Sequence, residues 1–556
     1  MTTDNANDDL KDRVSELISL YSTDRVSAAK VLCDGRDPSA LAYRIVSPTF
    51  SARDLTYGEL REESERFAGA LIALGVKPGD RVATLMGKSR EYLVTLMAIW
   101  RLGAVHLPLF TAFAPPAIAF RLTESGTRLV VCDAEQERKL EPGTDIPESP
   151  PWRVLTTGAG GSRNLSFEDA MANSTPVTSA AALGGEAPLI HIFTSGTTGR
   201  PKGVVMPVKG LAACHAYAEF GLGLRAGELY WCGADPGWAY GLYFGVLACL
   251  STGVPGLLFE GGFTPEATYE VLSRYGPANF AAAPTVYRAM RASATPMPGG
   301  VRLRCGSSAG EPLTPEVNEW AEQALGVPVH DHYGQTEVGM LVNNHHHPDL
   351  NAPIKQGSMG KAMPGWKAVV LHSEKDEPAE TGQVGRLAMD LSESPLCWFE
   401  GYHNNPEKTA EKFSDDGRWY YTGDTASIDD DGYVFFSSRD DDVIIMAGYR
   451  IGPFDVESVI ATHPDVAECA IVAAPDEIRG EVIEAFIVPQ KGVEASDALT
   501  EEIQQRVKTQ FSAHAYPRSV HYLDRLPKTP SGKIQRFVLR EQRRKELQNS
   551  SETVTS

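Results

Sequence analysis

Residues 194–202 (TSGTTGRPK) form the segment with the clearest chemical potential. Two glycines allow a tight turn, and four hydroxyl side chains with backbone N–H groups could point at an anion. Lys202 adds a full positive charge. The segment follows an apolar run at 189–193, which favours a strand, so the pattern indicates a phosphate-binding loop. It is not a Walker A loop, because Pro201 precedes the lysine and Gly203 follows it.

More polar segments follow in a fixed order along the chain. They are residues 306–312 (GSSAGEP), 331–337 (DHYGQTE), 421–424 (YTGD), Arg439 and 530–533 (PSGK). Together with 194–202 they resemble the adenylate-forming superfamily of acyl-CoA synthetases, luciferases and nonribosomal-peptide adenylation domains. Residues 448–453 (GYRIGP), 478–481 (IRGE) and 516–518 (YPR) are most similar to medium-chain acyl-CoA synthetases and their acetyl-CoA synthetase relatives.

The resemblance implies an ATP site in which an aromatic side chain stacks on adenine and Asp424 accepts hydrogen bonds from the ribose. The residues that it assigns to ATP are Thr194, Ser195, Gly196, Thr197, Thr198, Gly199, Lys202, Gly310, Glu311, Pro312, Asp331, His332, Tyr333, Gln335, Thr336, Asp424, Arg439, Arg450 and Lys533. Thr336 would reach a phosphate, and Arg439 would also grip the ribose.

The resemblance also assigns the catalytic groups, which are Lys533, Thr336, Glu337 and Lys202. Lys533 would bridge the substrate carboxylate and the α-phosphate, and Glu337 would hold Mg²⁺. A carboxylate is a poor electrophile and its charge repels ATP, so these cations must neutralise phosphate charge while the carboxylate is positioned in line.

The expected acyl pocket is built around residues 234–241 (ADPGWAYG), with Trp238 as a wall. Its residues are Trp238, Ala239, Tyr240, Ala309 and Gly334. In acetyl-CoA synthetases a tryptophan fills the position of Gly334 and closes the pocket, so the glycine predicts space for longer or branched acids. Tyr240 would refill part of that space.

Coenzyme A would be bound by the C-terminal part of the chain. The residues that the resemblance assigns are Ala447, Gly448, Tyr449, Arg479 and Arg518, with Asp441 as the hinge. The polar break at 438–442 predicts a domain boundary, with an N-terminal domain at 1–440 and a small mobile C-terminal domain at 441–556.

Elements of alternating type must position these residues. A helical stripe from Leu60 to Leu74 is followed by a strand at Arg81–Leu85, a helix at 91–102 and a strand at 128–133. This alternation predicts an α/β fold with parallel strands. Residues 156–187, rich in small and polar types, are expected to form a loose surface connection.

Bulk composition limits the functional classes. The net charge of -20 disfavours binding to nucleic acid or an anionic membrane. The acidic N-terminus lacks a targeting signal, no stretch of about 20 apolar residues predicts a membrane span, and a cytoplasmic enzyme is expected. Eight scattered cysteines and the histidines at 345–347 predict neither a disulfide framework nor a metal site.

The sequence therefore predicts an ATP-, Mg²⁺- and coenzyme A-dependent acid–thiol ligase for short-, medium-chain or branched acids. Two alternatives are an adenylation enzyme that loads a carrier protein and a non-catalytic nucleotide-binding sensor. The sensor is disfavoured because Lys533 and Glu337 are both present. A homodimer is one open oligomeric state, and a lysine acetyltransferase acting on Lys533 is one open partner.

Overall fold

The computed structural model of the chain describes residues 2–158, 165–194, 201–311, 313–439, 442–446, 449–476, 480–511, 516–529 and 533–554. Within these residues the fold is mixed α/β, with a large N-terminal part and a small C-terminal part. Three β-sheets carry the architecture.

The helices alternate with strands through most of the chain. They are α1 Thr2–Tyr21, α2 Tyr57–Ala73, α3 Arg90–Arg101, α4 Pro115–Glu124, α5 Phe167–Ala172, α6 Leu211–Phe220, α7 Ala248–Thr252, α8 Pro265–Tyr275, α9 Pro284–Ala292, α10 Pro315–Ala324, α11 Pro406–Ala410, α12 Pro453–Ile460, α13 Asp497–Gln510 and α14 Arg536–Val554. Two π-helical segments, Lys30–Asp34 and Gly241–Leu247, and three 3₁₀ segments, Ala134–Leu140, Val208–Gly210 and Leu391–Glu393, complete the helical structure.

The strands up to the middle of the chain are β1 Leu41–Val46, β2 Ala52–Thr56, β3 Arg81–Leu85, β4 Val105–Pro108, β5 Thr127–Asp133, β6 Arg153–Thr157, β7 Leu165–Ser166, β8 Pro188–Thr194, β9 Lys202–Pro207, β10 Tyr230–Cys232, β11 Gly256–Phe259, β12 Asn279–Ala282 and β13 Cys305–Ala309. The later strands are β14 Val329–Gln335, β15 Gly339–Asn343, β16 Ser358–Ala362, β17 Ala368–Leu371, β18 Gly385–Asp390, β19 Trp419–Ile428, β20 Val434–Arg439, β21 Ile444–Met446, β22 Tyr449–Ile451, β23 Val466–Asp476, β24 Gly480–Pro489 and β25 Ser519–Tyr522.

The first sheet confirms the predicted parallel α/β layers. Its strand order is β7-β6-β5-β3-β4-β8-β9, parallel as far as β8, with only the last pair antiparallel. The helix α2 that packs near it begins at a capping box, in which Thr56 and Glu59 satisfy each other's backbone N–H groups. The observed β3 has the bounds that the sequence predicts.

The second sheet carries most of the candidate site. Its order is β17-β18-β19-β20-β16-β15-β14-β13-β12-β10-β11-β1-β2, so strands distant in sequence become neighbours. Strands β10 to β14 are parallel, and β14 to β20 form an antiparallel extension. The largest buried apolar cluster joins this sheet to the first one through α2, α3 and α6.

The C-terminal part has its own sheet and its own core. Strands β22, β21, β24 and β23 are adjacent in that order, and β25 pairs with β24. Ile444, Ile471, Ile483 and Ile503 belong to its buried cluster. Helix α12 packs on β20, where the Oγ of Ser437 donates a 3.0 Å hydrogen bond to Asp455.

The expectation of a loose connection at 156–187 is wrong in part. This region contains β7 and α5, separated from the preceding strand by residues outside the described part of the chain. Phe167 of α5 is buried against Phe67 of α2, with ring centroids 4.5 Å apart. A single aromatic side chain anchors the segment, which its small and polar composition does not reveal.

All eight cysteines are free thiols. No helix within the described residues is both long and apolar enough to cross a membrane.

We expect the buried pair between Arg101 and Asp34 to be important for stability. Arg101 is fully buried, and its two terminal nitrogens donate to Asp34 at 3.0 and 2.6 Å. Arg101→Leu should lower the free energy of unfolding by about 3–5 kcal/mol, because it leaves a carboxylate unpaired. Arg44→Leu, which breaks an exposed pair with Asp54, should cost about 1 kcal/mol or less. Urea unfolding of the two variants checks the difference, and equal losses would contradict it.

Candidate functional site

The β14 segment directs two side chains at one carboxylate. Tyr333 donates its hydroxyl to Asp424, and the amide nitrogen of Gln335 donates to the same Oδ2 atom at 2.9 Å. Residues two apart on a strand share a face, which explains why both reach Asp424. Burial raises the pKa of Tyr333 well above its ordinary value, so its phenol stays a neutral donor. The predicted motifs 331–337 and 421–424 therefore meet in space.

Asp424 is held by a second strand pair as well. It lies on β19 opposite Arg439 of β20, and the Nε of Arg439 is 3.4 Å from its Oδ1. Only 4% of Asp424 is exposed. A buried carboxylate with a cation and two donors around it stays ionised and can accept hydrogen bonds from ligand hydroxyls.

A second carboxylate, Glu337, lies close to the predicted phosphate loop. Its Oε1 accepts a 2.6 Å hydrogen bond from the hydroxyl of Tyr402. The ammonium of Lys202 lies 4.4 Å from the centre of the same tyrosine ring. Lys202 begins β9 opposite Thr194, which ends β8 and whose hydroxyl oxygen is buried without a partner among the described residues.

Lys533 reaches this site from the C-terminal part of the chain. Its Nζ lies 5.7 Å from the ring centre of Trp238. Thr529 holds the turn before it, through a 2.8 Å bond to the Lys533 carbonyl and a 3.1 Å bond from the Lys533 N–H. Burial and the guanidinium of Arg439 lower the pKa of Lys533, while Glu311 and the other site carboxylates oppose them.

The loop after β13 brings backbone close to Trp238. Gly310 has a φ of +97°, and a Cβ there would lie 2.9 Å from the Trp238 ring, so both backbone and space favour glycine. Glu311 accepts hydrogen bonds from Thr285 at 2.8 Å and from Arg288 at 2.5 Å. These contacts fix the side chain of Glu311 on α9.

His332 points away from the Asp424 side of β14. Its Nδ1 bonds to the hydroxyl of Tyr217 at 2.7 Å, and its Nε2 bonds to the carbonyl of Asn344 at 3.0 Å. The predicted acyl-pocket residues Ala239, Tyr240 and Ala309 are buried in the same apolar cluster as Tyr217. The backbone carbonyl of the next site residue, Thr336, accepts a hydrogen bond from Tyr243 at 3.3 Å.

Some of the predicted residues cannot be placed. Those outside the described residues are Ser195, Gly196, Thr197, Thr198, Gly199, Pro312, Asp441, Ala447, Gly448 and Arg479. Tyr449 and Arg450 lie on β22, but only their backbone is described. Arg518 stacks on the ring of Tyr516, 3.9 Å from its centre, and its assignment to coenzyme A stays a prediction.

The AMP-binding enzyme family model matches residues 35–403, and that of the AMP-binding enzyme C-terminal domain matches residues 455–533. The chain belongs to the AMP-binding enzyme family. The resemblance found in the motifs is thereby confirmed.

Three relatives illustrate the similarity of this AMP-binding enzyme. It is 35% identical to an acetyl-coenzyme A synthetase of Bacillus subtilis, over 87% of this chain and 84% of the relative. A crystal structure of a Brucella canis acyl-CoA synthetase is 41% identical, covers 96% and 98% of the two chains, and has a TM-score of 0.74. The anthranilate CoA ligase AuaEII, solved with anthranoyl-AMP, is 26% identical over 94% and 98%, with a TM-score of 0.84.

Lys412 is a site residue that the motifs do not reveal. Its Nζ donates to the carbonyls of Tyr421 at 3.1 Å and Thr422 at 2.8 Å, directly before Gly423 and Asp424. Burial lowers its pKa, which nearby Glu337 and Asp424 counteract. In sequence it is one lysine in a charged stretch, and only the fold brings it to residues 421–424.

Tyr402 and Arg288 are missed for the same reason. Each lies in a segment with no motif and acts on a motif residue, Tyr402 on Glu337 and Arg288 on Glu311. No local sequence pattern could have found either of them.

A cluster of three histidines near the site does not have the geometry of a metal centre. Ring nitrogens of His330, His332 and His346 lie within 4.8 Å of one another. The rings of His330 and His346 stack, with centres 3.7 Å apart and planes at 14°. A nitrogen lone pair lies in its ring plane, so two stacked rings cannot both point at one ion. The cluster is better explained as packing behind β14.

We expect Lys412 to position Asp424 for the nucleotide. Lys412→Met should lower kcat/KM for ATP by about tenfold or more, because a lost charge-assisted hydrogen bond costs ~1–3 kcal/mol. Lys412→Arg should restore part of the loss, since a guanidinium can also donate to two carbonyls. Lys408→Met, an exposed lysine paired with Glu411, is the control and should change little. An unchanged KM for ATP in Lys412→Met would show that the residue only supports the fold.

Asp331 should make stability depend on pH. Burial raises its pKa to about 8, against the N–H groups of Leu313 and His332. Between about pH 4 and 8 the native state therefore keeps a proton that the unfolded chain has lost, so stability falls as pH rises. Asp331→Asn should flatten this fall in urea unfolding of the ligand-free protein. Asp416→Asn should not, because hydrogen bonding by Ser414 lowers the pKa of exposed Asp416.

Proposed function

We propose that this AMP-binding enzyme converts a short- or medium-chain or branched carboxylic acid to its coenzyme A thioester through an acyl-adenylate. The observation that carries the proposal is the position of Lys533. A lysine from the C-terminal part of the chain lies beside Trp238 and within electrostatic reach of Glu311, Asp424 and Glu337. The relatives support the ligase class, since they are acetyl- and acyl-CoA synthetases and a CoA ligase.

In the first step a carboxylate oxygen attacks the α-phosphorus of ATP, the bond to the bridging oxygen breaks, and pyrophosphate leaves. Asp424, oriented by Tyr333 and Gln335, would accept hydrogen bonds from the ribose hydroxyls. Lys202 and Lys412 would neutralise or orient the phosphates. Lys533 would hold the carboxylate against the α-phosphate, where preorganised positive charge stabilises the transition state.

The residues present fit a Mg²⁺ ion at Glu337. Oε1 of Glu337 is engaged by Tyr402, which leaves Oε2 for a cation. Mg²⁺ needs only one or two carboxylates when phosphate oxygens and water complete its shell. When bound there, it would supply charge neutralisation for the departing pyrophosphate.

In the second step the thiol of coenzyme A attacks the acyl carbonyl, AMP leaves, and the thiol proton is released. Lys533 occupies the site that the thiol must approach, so the C-terminal part must adopt a second pose. We place the boundary between 440 and 441, the hinge at Asp441, and coenzyme A beside residues 447–449, 479 and 518. These assignments, a cytoplasmic location, a homodimer and acetylation of Lys533 stay predictions.

The reaction itself can be tested by its stoichiometry. Purified protein with MgATP, coenzyme A and a C4–C8 fatty acid should form acyl-CoA, AMP and pyrophosphate in equal amounts. Chromatography of the nucleotides distinguishes AMP from ADP. Formation of ADP and phosphate would contradict adenylation, and AMP transfer without thioester would favour the carrier-protein alternative.

The two-pose mechanism predicts that Lys533 serves only the first step. Lys533→Ala should lower acid-dependent exchange of pyrophosphate into ATP by ~10²–10³, the usual loss for one preorganised charge contact. The same variant should still convert presynthesised acyl-AMP and coenzyme A to acyl-CoA at a near-normal rate. Lys528→Ala is the matched control, because Lys528 lies on the same hairpin but pairs with Glu468. Equal loss in both half-reactions would argue against the two poses.

A further inference from the structure

The space expected beside Gly334 is occupied. A Cβ at Gly334 would lie 2.2 Å from the carbonyl oxygen of Gly339 and 2.8 Å from the sulfur of Met340. Glycine at 334 therefore does not leave open space in this direction. It allows the side chain of Met340, on the neighbouring strand β15, to lie across β14 at the irregular register between Tyr333 and Gly334.

A continuous wall of aromatic side chains leads from the catalytic lysine towards Met340. Lys533 lies beside Trp238, whose ring centre is 6.2 Å from that of Tyr240. The Tyr240 ring centre is in turn 5.2 Å from that of Phe244. A Cβ on Gly339, the residue before Met340, would be 3.9 Å from the tip of Phe244. Met340 therefore stands at the far end of the wall that begins at the reacting groups.

Hydrogen bonds hold the aromatic part of this wall in place. Tyr240 bonds to Tyr217 at 3.2 Å, Tyr217 bonds to His332 at 2.7 Å, and His332 bonds to the Asn344 carbonyl at 3.0 Å. These rings cannot move without breaking buried hydrogen bonds. Met340, 6% exposed, has an unbranched thioether side chain with three rotatable bonds. It is the part of the wall that can yield to a ligand.

We infer that Met340 closes the acyl pocket and sets the longest acid that this enzyme accepts. The inference rests on the proposed function and narrows its substrate class to acids with a flexible aliphatic tail whose end contacts the thioether. Gly334 contributes indirectly, because any side chain there would displace Met340 and strike the backbone of Gly339. A substitution at 334 would therefore disturb the sheet, and Met340 is the position to change.

The test compares wild type with Met340→Ala and Met340→Phe on straight-chain acids from C2 to C12. Alanine removes three heavy atoms, so the preferred acid should lengthen by about two or three carbons, with kcat/KM for longer acids rising about fourfold per newly accommodated methylene. Phenylalanine should shorten the range. Met290→Ala, which removes the same atoms from a separate core cluster, should leave the profile unchanged.

A binding series gives a second measurement without turnover. Non-reactive acyl-sulfamoyl adenosines of C2 to C12 should show the same shift in dissociation constant, while the KM for ATP stays within about twofold in folded variants. Should Met340→Ala fail to fold, Met340→Leu provides a smaller change at the same place. An unchanged profile in the folded Met340 variants would overturn the inference alone. Absence of acyl-CoA formation by wild type with every acid would overturn the proposed function itself.

Discussion

The carboxylate of Asp424 is the point on which the nucleotide site depends. Tyr333 and Gln335 reach it from β14, and Arg439 reaches it from β20. Gln335 also bonds to the carbonyl of Thr422 at 2.8 Å, the atom that Lys412 holds from the other side. The strand pair β19–β20 and the strand β14 are thereby locked together around one buried charge.

The positive groups around this charge are in tension when no nucleotide is bound. Burial lowers the pKa of Lys202, Lys412 and Lys533, and Arg439 lowers each of them further. A bound triphosphate would supply the missing negative charge and raise these pKa values again. Nucleotide binding and lysine protonation should therefore favour each other, and the site is arranged for an anionic ligand although the whole chain carries a net charge of -20.

The acyl side of the site depends on packing where the nucleotide side depends on charge. Tyr240, Tyr217 and His332 form a hydrogen-bonded chain behind β14, and Met340 lies between this chain and Gly334. The same strand thus presents Tyr333 and Gln335 to the nucleotide and a glycine to the core. Alternation along one strand separates the two halves of the reaction site.

The sequence by itself determined the family, the parallel α/β layers and most of the residues around Asp424. These features depend on local patterns, such as the apolar run of β3 and the short motifs at 331–337 and 421–424, in which residue type and spacing dictate the chemistry. Only the tertiary structure decided the roles of Lys412, Tyr402 and Arg288, because each acts on a residue far away in the chain. It also decided what glycine at 334 means, since the empty side of a glycine is filled by whichever residue of the neighbouring strand lies opposite it. Here that residue is Met340, and no spacing rule within β14 could have revealed it.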